Sequence, residues 1–198
     1  MTVSQARSTI GSMTVKGPGP LRFALAGAVS GAFTTGLLMV LPVRWKIEIG
    51  DFLVFSSLSI VAGLVFGIVI GALLRNHRLV ETRTALLYAA AATVSYFVAV
   101  NLAFHLIDFV EEIWQLGMIA GLVGAGCLTA LAAWLLPVAR RIGPCALMLS
   151  AGCLLGALLE SPVRGDGGFW EWLLFYGPWQ AGYAAAFATA LPKTAGEG

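Results

Sequence analysis

Residues 53–74 read LVFSSLSIVAGLVFGIVIGALL, an unbroken stretch of apolar and small residues without a single charge. The hydrocarbon core of a bilayer is about 30 Å thick, and roughly 20 residues of helix cross it. A helix is favoured over a barrel strand because the apolar residues are continuous rather than alternating. A backbone in lipid must also satisfy its own hydrogen bonds, which a single helix does. The stretch therefore predicts a membrane-spanning helix.

Five more segments of this kind lie on either side of it. The 198-residue chain is 59% hydrophobic and only 11% charged, whereas soluble domains are about 25% charged. We expect an all-α, polytopic membrane bundle of six transmembrane helices, forming one domain over 22–191 between a polar tail (1–21) and a short tail (192–198). The predicted spans are 22–41, 53–74, 84–106, 114–136, 143–160 and 169–191.

Lys and Arg residues predict the orientation of these spans. If the N-terminus faces the cytoplasm, nine of the 12 basic residues fall on the cytoplasmic side, and only Arg44, Lys46 and Arg164 fall outside. Cytoplasmic loops of membrane proteins carry an excess of Lys and Arg. We therefore expect both termini in the cytoplasm, with a bacterial-type inner membrane as the location.

The polar side chains gather near the predicted outer ends of the helices. Asn101, His105 and Asp108 are spaced by four and three, which places them on one helix face and lets His105 contact Asp108. Polar groups at membrane depth usually face an interior or a water-filled cavity. We expect an outward-facing polar pocket, whose candidate ligand-binding residues are Asn101, His105, Asp108, Gln115, Glu160, Glu171, Tyr176 and Gln180.

Two plainer interpretations compete with this pocket. The acidic stretch 107–113 is also what an external loop before a helix contains, because carboxylates there favour the positive end of the helix dipole. Likewise, His105 is also explained as a lone interfacial histidine that bonds to a neighbouring helix.

Small residues recur at intervals of four, which puts them on one helix face. Gly63, Gly67 and Gly71 do so in the second span, and Ala24 and Ala28, continued by Ala32, do so in the first. In lipid such faces let helix backbones approach closely. They predict helix packing within the bundle, or an interface with a partner protein or a second copy.

In layout the chain resembles the substrate-binding subunits of energy-coupling-factor transporters. Those are six-helix membrane proteins of similar length, with an external pocket and a small-residue face on helix 1, matched here by Ala24, Ala28 and Ala32. The resemblance covers this layout alone. It implies solute binding together with a partner membrane protein.

Several kinds of chemistry lack their sequence signatures. There is no Gly-x-Ser-x-Gly or Walker motif, only two histidines, and three cysteines without Cys-x-x-Cys spacing. We expect no catalytic residue, no metal, no cofactor and no nucleic-acid partner. An enzyme could use only the outer carboxylates, Asp108, Glu111, Glu160 or Glu171.

The leading functional hypothesis is a small membrane subunit that binds or transports a small solute with a partner protein in the lipid bilayer. The alternatives are an oligomeric channel or membrane-perturbing effector, and a non-catalytic structural subunit of a larger complex.

Overall fold

The computed structural model describes residues 19–41, 46–49, 53–136 and 141–191, without the side chains of the two strands and of Ser57. Most of the predicted tail 1–21 and all of the tail 192–198 lie outside the described residues. A 3₁₀ turn, Ala157–Leu159, joins α5 to α6. In chain order the elements are α1 (Pro20–Val40), β1 (Lys46–Ile49), β2 (Leu53–Ser56), α2 (Ser57–Asn76), α3 (Thr82–Leu106), α4 (Ile113–Leu135), α5 (Ile142–Gly156), α6 (Glu160–Arg164) and α7 (Phe169–Ala188).

The six long helices form a closed ring. Each one packs on two neighbours in the order α1, α2, α3, α4, α5, α7, and α7 returns to α1. The most extensive contacts join α1 to α7, α2 to α3 and α4 to α5. Because the helices alternate in direction, the ring has two ends, named here the α3–α4 end and the α2–α3 end after the connections found there.

Five helical segments are long and apolar enough to cross a membrane, by length and composition: Pro20–Val40, Leu58–Asn76, Thr82–Leu106, Ile113–Leu135 and Ile142–Arg164. The last of them runs from α5 through α6. The predicted helical fold is thereby confirmed, and its apolar helices indicate a lipid bilayer as the environment.

The sixth predicted segment, α7, is a 20-residue helix that is not among these five. It is the least exposed of the long helices, with only Phe169, Trp170, Leu174 and Pro178 exposed. α7 carries the polar residues Glu171 and Gln180, and polar residues in membrane helices usually face the bundle interior instead of lipid. Six spans, and the orientation of the termini, remain predictions.

The second span begins later than predicted. Residues 53–56 form β2, which pairs antiparallel with β1 from Ile49↔Leu53 to Lys46↔Ser56. β-branched and aromatic residues, such as Val54 and Phe55, favour such a strand. The helix α2 therefore starts at Ser57 and continues to Asn76, two residues beyond the predicted end.

Aromatic side chains fill the inside of the ring. Phe66 of α2 lies edge-on to Tyr183 of α7, with ring centroids 6.0 Å apart. Tyr88 of α3 lies 5.6 Å from Phe187 of α7, and Phe23 of α1 meets the same ring at 6.0 Å. All five side chains are buried. This aromatic core links α7 to three other helices.

Candidate functional site

The eight predicted ligand-binding residues do not line a common pocket. Three of them, His105, Asp108 and Gln115, are exposed, and Glu160 and Glu171 are half-buried. The other three are buried: Asn101, Tyr176 and Gln180. Only Tyr176 lines the cavity described below.

The three residues predicted to share one face lie around the end of α3, with Asn101 and His105 inside the helix and Asp108 just beyond it. The helix ends at Leu106, so Asp108 lies in the turn that follows and makes no ion pair among the described residues. His105 Nδ1 lies 2.9 Å from the Asn101 carbonyl oxygen, and Asn101 Nδ2 donates to the Phe97 carbonyl at 2.9 Å. His105 thus lies beside a carbonyl of its own helix, and a contact between His105 and Asp108 stays a prediction.

The acidic side chains at the α3–α4 end contact other residues at the protein surface. Arg164 of α6 donates to Glu112 at 2.6 Å and forms an ion pair with Glu160 at 2.8 Å. The Glu171 side chain folds back over Gly165 and Gly168 in the loop before α7. These carboxylates therefore face other residues at the surface of the bundle instead of an interior cavity.

A cavity of about 160 Å³ does lie at the α3–α4 end, where the outward pocket was predicted. Its walls come from the end of α3, the starts of α2, α4 and α7, and the segment after α5. Aliphatic, glycine and aromatic residues make up the lining: Leu58, Tyr96, Ala99, Val100, Ala103, Phe104, Ile107, Ile113, Leu116, Gly117, Ala120, Gly121, Gly124, Leu159, Val163, Trp172, Phe175, Tyr176 and Trp179.

Two of these aromatic residues use their polar atoms to bind backbone carbonyls. Trp179 Nε1 donates to the Gly152 carbonyl of α5 at 3.1 Å, and the Tyr176 hydroxyl donates to the Leu58 carbonyl of α2 at 3.4 Å. Their rings are left to form the wall. The Trp172 ring stacks on Tyr176 at 5.7 Å, and Tyr96 meets Trp179 edge-on at 5.1 Å. The cavity is therefore apolar and aromatic, which corrects the predicted polar character of the pocket.

Sequence reasoning missed the small residues that make room for this cavity. Ala99 and Ala103 of α3 and Ala120 and Gly124 of α4 all line it, and Ala99 lies directly against Gly124. Their spacing of four was the available signal, since it places each pair on one helix face. What the spacing does not specify is whether a neighbouring helix closes on that face or leaves a gap.

A second feature lies deeper in the ring, where several buried polar atoms lack a hydrogen-bond partner among the described residues. Both amide atoms of Gln180 are in this group, although its side chain is fully buried. The Tyr96 hydroxyl lies beside the Gln180 amide but outside hydrogen-bond geometry. The other members are the hydroxyl groups of Ser30, Thr34 and Tyr88.

Such atoms are costly in an apolar interior. An unsatisfied buried amide or hydroxyl destabilises a protein by about 1–3 kcal/mol. Elsewhere in the ring polar side chains do find partners, as Thr129 and Tyr183 show with their oxygens 3.2 Å apart. The Gln180 amide and the Tyr96 hydroxyl are thus buried polar groups without a hydrogen-bond partner among the described residues.

The glycine ridge of α2 packs within the chain. A β-carbon built on Gly67 would lie 2.5 Å from the Ala89 Cα of α3, and one on Gly63 would lie 2.6 Å from the Thr93 Cα. Gly71 would meet the Ala85 carbonyl oxygen at 2.8 Å. This face is therefore covered by α3.

Unlike the glycine ridge of α2, the alanine face of α1 is not fully covered by a neighbouring helix. Ala24 and Ala28 are half-buried and Ala32 is exposed, while Gly27 and Gly31 on the adjoining face contact the α7 backbone. The glycines therefore hold α1 against α7, and the alanines lie along the edge of that contact.

Comparisons of the chain with protein-family models, with curated proteins and with solved structures found no match.

Proposed function

We propose that the protein is a small integral membrane protein that binds a small, mostly apolar molecule in the cavity at the α3–α4 end, and that it transports this molecule together with a partner protein. The observation that supports the proposal is the aromatic-lined cavity of about 160 Å³ inside the ring. Concave, mostly apolar sites with a few polar groups are the usual form of small-molecule sites.

The lining points to a ligand with one or two rings. An apolar cavity of about 150 Å³ stays dry and accepts benzene. The stacked Trp172 and Tyr176 rings offer a flat face for a further ring. A charged or strongly hydrated solute is disfavoured, because nothing in this lining would replace its water.

One polar group on the ligand would find a partner at the inner end of the cavity. Tyr96 forms part of the lining, and its hydroxyl lies beside the Gln180 amide. The two side chains can both donate and accept hydrogen bonds. A hydroxyl, carbonyl or amine on the ligand would therefore satisfy atoms that have no hydrogen-bond partner in the described part of the chain.

Ion pairs of Arg164 with Glu112 and Glu160 lie beside the cavity. Leu159 and Val163 line the cavity, and Arg164 joins their segment to Glu112, next to the lining residue Ile113. We infer that entry of the ligand involves movement of α6, because this short helix is held across the mouth by exposed ion pairs.

The proposal includes six spans, with α7 as the sixth, and both termini in the cytoplasm of a bacterial-type cell. The described arginines support this orientation, since Arg22, Arg75, Arg78, Arg83 and Arg141 lie at the α2–α3 end and only Arg164 lies at the other. Single cysteines in a cysteine-free background test it. We expect an impermeant maleimide to label Asp166→Cys, but not Arg83→Cys, in intact cells, and the reverse pattern would overturn the orientation.

The partner is proposed on the alanine edge of α1. Ala28→Trp would obstruct a close helix contact there, whereas Val29→Trp, exposed on the neighbouring face, would not. Loss of a co-purifying protein from Ala28→Trp alone would support this part of the proposal. Equal recovery from both variants would contradict it.

Energy transfer from tryptophan to 1-naphthylamine, a two-ring molecule with one amine, tests the binding site. Trp172 and Trp179 line the cavity, so probe bound there accepts their excitation more efficiently than probe in the surrounding detergent. We expect saturable transfer in the purified protein. Ala103→Phe, which fills the cavity, should abolish the saturable part, and Ala90→Phe, on the exposed face of the same helix, should preserve it. Equal transfer in both variants would overturn the proposed site.

A further inference from the structure

A second depression lies at the opposite end of the ring from the cavity. It is a groove of about 570 Å³ between the α2–α3 connection and the end of α4. Two arginines, a threonine, a carboxylate and four aliphatic residues form its walls: Arg75, Arg78, Leu79, Val80, Glu81, Thr84, Leu135 and Leu136.

Arg78 occupies a backbone conformation that L residues rarely adopt. Its φ is 56°, and it is the only non-glycine residue with positive φ in the part of the chain that the structure describes. The Leu79 amide donates to the Leu74 carbonyl at 2.9 Å, and the Arg78 amide donates to Arg75 at 2.8 Å. These two bonds form the Schellman motif that ends α2, in which glycine is the preferred residue at the position of Arg78.

An arginine at this position calls for an explanation in its side chain. A left-handed residue with a β-carbon is strained, and such strain concentrates at positions that serve a function. Glycine would end the helix with less strain but would leave one guanidinium fewer in the groove. The strain therefore indicates that the charge of Arg78 is used.

The positive charge of the groove is not neutralised within the described residues. Arg75 and Arg78 are exposed and take part in neither of the ion pairs found there, both of which involve Arg164. Glu81 is the one carboxylate in the lining, which leaves an excess of positive charge. Two arginines with a nearby hydroxyl suit an oxyanion with several acceptor oxygens.

The rest of the groove is apolar and lies at the depth of a membrane surface. Leu79 and Val80 are half-buried and pack on the core, and Leu136 is buried. The groove is at the ends of α2, α3 and α4, three segments long enough to cross a bilayer. A phosphate group at the arginines would thus have an aliphatic surface directly beside it.

We propose that this groove binds the phosphate headgroup of an anionic lipid, with Arg75 and Arg78 as its ligands and an acyl chain against Leu79, Val80 and Leu136. Basic pockets between helices near the membrane surface are suited to such headgroups. The shared chemistry is a phosphate ester, so free phosphate would meet the same arginines but would leave the aliphatic surface uncovered.

Thermal unfolding in nanodiscs of defined composition tests the proposal. Phosphatidylcholine discs serve as the reference, and phosphatidylglycerol or cardiolipin is added at fixed ionic strength. We expect the anionic lipids to raise the melting temperature of the full-length protein. Each arginine should contribute about five-fold to the apparent lipid affinity. Arg75→Gln and Arg78→Gln should each lose that factor, and Arg22→Gln, an equal charge change on exposed α1 outside the groove, should not.

Arg78→Gly separates lipid binding from folding. Glycine relieves the strained backbone, so this variant should melt higher than the parent in phosphatidylcholine yet gain less from anionic lipid. A variant that simply fails to fold would melt lower in both lipids, in which case Arg75→Gln decides the question. Equal loss from Arg22→Gln and Arg75→Gln would show a diffuse surface charge effect and overturn the site.

Inorganic phosphate in phosphatidylcholine discs distinguishes the two sources of the anion. If the lipid is the ligand, millimolar phosphate should leave the melting temperature unchanged. If phosphate alone reproduces the stabilisation, and Arg78→Gln removes it, the groove binds a free anion and the lipid assignment is overturned.

Discussion

Gly121 of α4 and Gly152 of α5 touch backbone to backbone, since a β-carbon built on Gly121 would overlap the Gly152 carbonyl oxygen. One turn away, Gly117 and Gly156 meet in the same way. Helices in lipid gain little from apolar burial against each other, so close backbone contact and dispersion supply much of their attraction. The four glycines have no side chains, so the backbones of α4 and α5 come into direct contact, and this contact stabilises the pair.

Gly121→Ala tests this contact. The methyl group has no space, so we expect unfolding in mild detergent to require about 1–3 kcal/mol less than in the parent. Gly126→Ala on the same helix is the matched control, because its β-carbon would lie 3.6 Å from the nearest atom, Leu149 Cδ2. Alanine should be neutral or slightly stabilising there. Equal losses in the two variants would show that the effect does not come from the Gly121–Gly152 contact.

Gly67→Ala tests whether the α2 ridge holds the bundle or joins copies of it. The new methyl group would press on the Ala89 Cα of α3. We expect lower thermal stability with an unchanged particle mass by light scattering. Gly36→Ala, with nothing within 4 Å of the added carbon, should change neither quantity. A change of particle mass without a loss of thermal stability would show instead that this ridge is an oligomer interface.

Gln180→Met replaces the buried amide by an apolar side chain of similar length. Because neither amide atom has a hydrogen-bond partner within the described ranges, the ligand-free variant should be more stable by about 1 kcal/mol. It should also bind 1-naphthylamine more weakly, which titration of the energy transfer would measure. Gln115→Met, on exposed α4 surface, should alter neither quantity. A loss of stability in ligand-free Gln180→Met would show that the amide is already satisfied.

Arg164→Gln removes both ion pairs at the mouth of the cavity. Each of the three side chains is at least one-third exposed, so the loss of stability should be below about 1 kcal/mol. The rate of probe release, measured by stopped-flow fluorescence, should increase because α6 is no longer tied to Glu112. Glu112→Gln should reproduce part of this increase, and Arg83→Gln at the other end should not. An unchanged release rate would mean that α6 does not control entry.

The helices were predictable from the sequence because each depends on local apolar length. α3 and α4 begin and end within two residues of the predicted spans. The start of α2 was less certain from the sequence, because Leu53–Ser56 is as apolar as the helix but pairs with β1. Apolar composition alone does not distinguish a short strand from the first turn of a helix.

The contents of the candidate site were much harder to predict. Helical spacing places Tyr176 and Gln180 on one face of α7, but it does not reveal that the Tyr176 hydroxyl bonds to a carbonyl of α2. Glu160 is a residue type that often binds ligands, yet it forms an ion pair with Arg164, one turn later in the chain. Which groups a polar side chain meets depends on contacts between helices distant in sequence, and spacing within one helix carries no information about them.

The α1–α7 contact has a consequence for how the chain is made. Gly27 and Gly31 of α1 contact α7, which lies roughly 150 residues later in the chain. The ribosome therefore synthesises α7 after every other described helix. Until then the ring is open, and the glycine face of α1 lacks the helix that it contacts in the folded chain. Release of α7 is thus the step that closes the structure, and a chain interrupted before Phe169 leaves the first helix without its principal neighbour.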